Sequence, residues 1–164
     1  MVTLTGFMGS GKTTVGKVLA DFLGCPFFDL DDLIVKKAGK SIPDIFAQDG
    51  EAAFRQLEAQ ILRQQVEKYA ESTVVLALGG GAVLAPASAS LLHEKTVCIY
   101  LRASLDTLLG RLASETAGRP LADASLAERL ASREPLYEET AHVTIDTDGL
   151  SPDEVADEII ISAL

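Results

Sequence analysis

One short run constrains this chain more than any other feature. Val2-Thr3-Leu4-Thr5 reads as a strand, Gly6-Phe7-Met8-Gly9-Ser10-Gly11-Lys12-Thr13 follows with the spacing G-x-x-x-x-G-K-[ST], and the segment from Thr13 to Leu23 reads as a helix. Glycines let the backbone curl until successive N–H groups point inward, and the helix N-terminus adds a partial positive charge, so the run is built to hold phosphate. Gly9, Ser10, Gly11, Lys12, Thr13 and Thr14 are the candidate nucleotide contacts. Lys12 would reach the β- and γ-phosphates, and the Thr13 hydroxyl would ligate Mg²⁺. A glycine-rich turn that binds nothing is the bland alternative, and it does not require the strand before or the helix after.

The rest of the chain repeats the alternation. Further strands are expected at Phe27 to Asp29, Val74 to Leu78, Val97 to Leu101 and Val143 to Asp146. Helices are expected from about Asp32 to Ala38, Glu51 to Tyr69, Ala87 to His93 and Leu105 to about Ala113. Ser151-Pro152-Asp153-Glu154 then supplies an N-cap serine, a proline at the first helical position and an acid at the third, a helix-start signal. Short apolar strands alternating with helices predict an α/β fold, a five-stranded parallel sheet covered by helices on both faces in three α/β/α layers. At 164 residues the chain is expected to form a single domain, residues 1–164. Glu115 to Ala124, rich in small residues and carrying Arg119-Pro120, is either a mobile lid or a plain surface loop.

A phosphate-binding loop identifies the donor and leaves the acceptor open. Asp29 and Asp31 follow the second strand, at the sheet edge where open α/β folds bind ligands, and strand alternation would place them on one side. One could orient the waters of Mg²⁺ and the other accept a proton from an attacking hydroxyl, or both could simply complement a helix N-terminus. Arg55 and Glu58 share a helix face, either as a surface ion pair or as an acid holding an arginine in place for a substrate carboxylate. Gly79-Gly80-Gly81 sits after the third strand, where three glycines suit a close backbone approach to a ligand better than a generic turn. Arg133 and Arg119 are the remaining cations of interest, and each alone would be a solvated surface charge.

Composition narrows the partners. Fourteen Lys+Arg against 24 Asp+Glu leave a formal charge of −10, which disfavours nucleic acid and anionic membrane surfaces. No apolar run approaches the roughly 18–20 residues of a membrane helix, and Met1 leads straight into the first strand without a leader pattern, so a cytosolic protein is expected. Cys25 and Cys98 make no metal or redox motif and read as small hydrophobes, and His93 and His142 read as isolated surface or loop residues. Nothing marks an interface, and a monomer is the default expectation.

Taken together, GFMGSGKTTVGK (6–17), FFDLD (27–31), SIPDIFAQDGEAAFRQLE (41–58), LGGGAV (78–83), RPL (119–121) and REPLYEETA (133–141) resemble the shikimate kinases, small members of the nucleoside-monophosphate-kinase-like P-loop fold, over nearly the whole chain. The resemblance implies transfer of the γ-phosphate of ATP to the 3-hydroxyl of shikimate, with Mg²⁺, in aromatic amino acid biosynthesis. It implies a shikimate-binding region at about 29–61 and a lid at about 112–124. By position, Asp31 would bind acceptor hydroxyls and serve as base, while Arg55, Arg133 and the backbone of Gly80, flanked by Gly79 and Gly81, would hold the carboxylate. Glu58 would orient Arg55, Asp29 would support the metal's water shell beside Thr13, Lys12 and the lid's Arg119 would serve the phosphates, and Arg111 would stack on adenine. Two positions differ from the family pattern. Leu30 stands where Ser or Thr often separates the aspartates, and 146–152 lacks the arginine some members carry in the adenine loop.

Two other readings compete. A gluconate-type kinase would share the phosphate loop but not need the paired arginines, and a non-catalytic ATP-binding regulator would bind nucleotide and transfer nothing.

Overall fold

The computed structural model describes residues 1–115 and 124–164. Arg119 and most of the expected lid lie outside them. Five strands, β1 (Val2–Thr5), β2 (Phe27–Asp29), β3 (Val75–Ala77), β4 (Val97–Arg102) and β5 (Val143–Asp146), form one sheet in the order β2-β3-β1-β4-β5. Every pairing is parallel, with Leu4 opposite Ala77 on one side and Ile99 on the other. Parallel neighbours need crossovers, and the helices supply them: α1 (Lys12–Leu23), α2 (Leu30–Ala38), α3 (Ile42–Asp49), α4 (Glu51–Lys68), α5 (Pro86–Lys95), α6 (Leu105–Glu115), α7 (Ala124–Thr140) and α8 (Pro152–Ala163).

The central strands are buried on both faces, and their side chains sort by parity into two cores. Val2, Leu4, Val75, Ile99 and Leu101 pack with Val15 and Leu19 of α1 and Val155 and Ile159 of α8. Leu76, Cys98 and Tyr100 face the opposite way, into a larger core with Ile34, Phe54, Ile61, Leu92, Leu108 and Tyr137. This period-two sorting produces the expected three layers.

Most expected elements agree with the structure to within a residue or two at their ends. Two helices, α3 and α7, are not among those delimited from the sequence, although Ser41 caps α3 by accepting the Asp44 amide and Pro43 opens it, the same signal that marks α8. At α8 the capping box is complete, with Ser151 N–H donating to Glu154 at 2.7 Å and Glu154 N–H to Ser151 Oγ at 3.3 Å. The two histidines are not isolated. Both are exposed, yet their rings stack at 4.6 Å and 4°, and Cys98 N–H donates to His142 Nδ1. The fold sets the strand that follows His142 beside the strand that follows His93, a proximity that sequence distance conceals.

Candidate active site

The glycine-rich loop turns from β1 into α1 because Gly6, Gly9 and Gly11 adopt positive φ. At Gly6 the space is also closed, since a Cβ would lie 2.6 Å from the Leu101 carbonyl oxygen. Lys12 folds back over the loop and donates to the carbonyls of Gly6 and Phe7, both at 2.8 Å. Burial pulls its pKa down to about 8, against the opposing pull of Asp31 and Asp29. Gly9 to Thr14 line a cavity of about 430 Å³, closed on the other side by Arg111, Thr147, Leu150 and Pro152. Arg111 is tied down there, donating to the carbonyls of Gly9, Ser10 and Thr147 and to the Thr147 hydroxyl at 3.1–3.3 Å. It clips the phosphate loop to the 146–152 segment, the position of the adenine loop in the family resemblance.

Asp29 ends β2 and Asp31 already belongs to α2, so strand alternation does not bring them together as expected. A capping turn does: Asp29 Oδ1 accepts the Asp31 amide at 3.0 Å. Its other oxygen accepts the Thr13 hydroxyl at 2.7 Å. One carboxylate therefore both caps α2 and reaches the start of α1. The hydroxyl–carboxylate pair fits Mg²⁺, a hard ion that is held by few protein oxygens and takes the rest from phosphate and water. Among the described residues no group of three or more His, Cys, Asp or Glu side chains could hold a metal by itself.

On the other side of the phosphate loop, α4 delivers Arg55 and Glu58 to the triple glycine. Arg55 Nη1 donates to Glu58 Oε1 at 2.8 Å, and Glu58 is only 4% exposed, so this is no surface pair. Burial raises the Glu58 pKa, with Arg55 opposing the shift. Glu58 Oε2 and Arg55 Nε have no hydrogen-bond partner. Asp31 also titrates above the ordinary carboxylate range, mainly through burial and then through the charge of Asp29, with Lys12 and Arg55 opposing.

The glycines are explained by these side chains. A Cβ on Gly81 would sit 2.5 Å from Arg55 Nη1, and one on Gly79 would sit 3.0 Å from both Asp31 Oδ1 and Glu58 Oε2. The sequence reading expected an edge left clear for a ligand; the protein's own Arg55, Asp31 and Glu58 occupy that space. Gly80 borders the phosphate loop, where a Cβ would lie 3.5 Å from Gly6 O and 3.6 Å from Met8 N. From α7, Arg133 brings Nη1 to 3.5 Å from Gly80 O and lies 5.7 Å over the Phe7 ring. Two neighbours were missed by sequence reasoning. Phe7 holds a variable position of the motif, and Tyr137, one turn beyond Arg133, donates its hydroxyl to Gly80 O.

The arrangement is thus a nucleotide cleft joined at Gly6–Met8 to a compact cluster of two arginines, two carboxylates and a glycine-rich turn. Comparison with known proteins agrees. The family model for shikimate kinase matches residues 8–163. The shikimate kinase of Enterococcus faecalis is 43% identical over 164 residues, covering 97% of this chain and 95% of its own. The solved shikimate kinase of Acinetobacter baumannii, in complex with shikimate, superposes with a TM-score of 0.85 at 34% identity over 97% of this chain and 89% of that one. A gluconokinase from Sinorhizobium meliloti, at 18% identity and a TM-score of 0.56, shares the fold alone. The chain belongs to the shikimate kinase family.

Proposed function

We propose that this chain transfers the γ-phosphate of ATP to the 3-hydroxyl of shikimate, with Asp31 receiving the hydroxyl proton. The observation that supports this most is the placement of Asp31 beside the Arg55–Glu58 pair and the triple glycine, on the border of the phosphate loop.

The nucleotide phosphates would lie against the amides of Gly9 to Thr14 at the α1 N-terminus, and Lys12 would exchange its carbonyl partners for phosphate oxygens. A bound phosphate would also restore the Lys12 charge that burial weakens. Thr13 and Asp29 are the residues that would hold Mg²⁺, directly and through its waters. When bound, the ion neutralises charge on the phosphates. Arg111 and Thr147 fix the wall of the cleft that would take the base. Arg119, outside the described residues, would add a further cation to the phosphates.

The acceptor's carboxylate would be held by Arg55 and Arg133 together with the backbone of Gly79–Gly81, while Glu58 keeps Arg55 from swinging away. Asp31 would orient the 3-hydroxyl. As the oxygen attacks, the O–H bond breaks toward the Asp31 carboxylate, the new O–P bond forms and ADP leaves with the old one. The raised pKa makes Asp31 a better proton acceptor than a solvated aspartate. Little else is required of the protein, because phosphoryl transfer depends mainly on positioning and charge neutralisation.

We place the activity in one kinase domain spanning residues 1–164, with the acceptor region at about 29–61 and a lid at about 112–124. We read the protein as a cytoplasmic monomer acting on small molecules, not on nucleic acid or a membrane. The net charge of −10 supports the exclusion of polyanions, and no helix among the described residues is long and apolar enough to cross a membrane.

Asp31→Asn tests the role of the carboxylate. The variant should lose at least about a hundredfold in kcat while its ATP affinity, read by calorimetry, changes little. A variant with normal turnover would contradict the assignment.

A further inference from the structure

The triple glycine has a complete hydrogen-bond pattern on its carbonyl side and an empty one on its amide side. Gly79 O accepts the Ala82 amide and Gly81 O accepts the Leu84 amide, each at 3.1 Å. Gly80 O has no backbone donor and takes the Tyr137 hydroxyl, with Arg133 Nη1 more distant at 3.5 Å. The amide hydrogens of Gly79, Gly80 and Gly81 have no acceptor among the described residues. Unpaired amides in a largely buried turn call for an acceptor from outside the chain.

A peptide unit is planar and trans, so fixing the Gly80 carbonyl also fixes the Gly81 amide, which points the opposite way. Tyr137 is well suited to fix it. The residue is fully buried, and its ring packs against Tyr100 of β4 at 5.0 Å. Burial also pushes its pKa up to about 12, so the hydroxyl keeps its proton across the working range. Arg133 lies one helical turn earlier on α7 and shares the same acceptor, so one helix face carries both the pin and the cation.

We propose that Tyr137 is a positioning residue for carboxylate recognition: by holding the Gly80 carbonyl it sets the Gly80–Gly81 peptide so that free amides and the arginines present one preformed anion site. The inference deepens the acceptor assignment made above and rests on it. Tyr137 touches no substrate and acts only through the peptide it holds.

Tyr137→Phe keeps the ring and removes the donor. The KM for shikimate should rise about three- to tenfold, the worth of one hydrogen bond, with the KM for ATP and kcat within about twofold. General loosening of the structure would move both KM values. The methyl ester of shikimate, which lacks the anion, supplies the second readout as a competitive inhibitor. Its inhibition constant should be nearly equal in the two proteins. Tyr137→Leu, which also removes the ring, should lower the melting temperature while adding little to the shikimate KM. An unchanged shikimate KM in Tyr137→Phe, or an equal loss for acid and ester, overturns the positioning role. Failure of the unmodified protein to phosphorylate shikimate would overturn the acceptor assignment itself, and is seen before any variant is made.

Discussion

Single atoms decide most of the site. Gly81 has no side chain because Arg55 fills the space a Cβ would need, only 2.5 Å from its guanidinium. The clash is with the far end of a flexible side chain, so Gly81→Ala should fold. It should do so with Arg55 displaced from Glu58, raising the shikimate KM by about tenfold or more and leaving ATP binding unchanged, since losing a charged hydrogen bond costs about 1.5–3 kcal/mol. Steady-state kinetics with each substrate varied in turn check this, and a shikimate KM equal to that of the parent would show that Arg55 does not bind the acceptor. At this scale the sequence was only partly legible. The spacing of Arg55 and Glu58 on one helix face was readable, as was the need for close approach at three consecutive glycines. What approaches them was not, because the space is filled by side chains from α2 and α4, which local sequence does not relate to β3. Asp29 and Asp31 do come together, but not by alternation: the strand stops two residues short of Asp31, and a capping hydrogen bond does the pairing.

Among the elements, α7 links core to site. Arg133 and Tyr137 reach Gly80 from one face, while Pro135 and Ala131 are exposed, so the carbonyl that proline leaves unpaired faces solvent. An interior proline of this kind costs less than one facing the core. Periodicity alone did not delimit α7, and α3 was passed over despite its Ser41 cap and Pro43, because only eight residues follow the signal. The central strands β1 and β3 were easier, being short apolar runs whose burial on both faces leaves little choice of residue. On α6, Gly110 is exposed with nothing within 4 Å of a Cβ. Gly110→Ala should therefore stabilise the protein by about 0.5–1 kcal/mol through helix propensity alone. Denaturant unfolding checks it, and a lower midpoint would mean that α6 tolerates no change so close to Arg111.

For the whole molecule, the order β2-β3-β1-β4-β5 explains why the candidate site residues meet. It sets β1 and β3 side by side, so the phosphate loop after β1 and the glycine turn after β3 emerge at the same carboxyl edge. Beside β3, β2 brings Asp29 and Asp31 to that edge. Fold class was legible from the alternation of runs, but this ordering was not, since it depends on crossovers between strands that are not consecutive. Nor was the His93–His142 stack, which exists only because β5 lies beside β4. An overall charge of −10 coexists with Lys12, Arg55 and Arg133 near one small turn, where carboxylates balance them, so the local field of the turn differs from that of the surface and leaves cations within reach of a small anion.

We assign this cluster of charges to a carboxylate-bearing acceptor of phosphate. The most direct test is ADP release from Mg-ATP with shikimate, with D-gluconate and with no acceptor. Release should depend on shikimate, with gluconate at the background level; release stimulated by gluconate and not by shikimate would leave the fold and the phosphate loop in place and overturn the acceptor site as described.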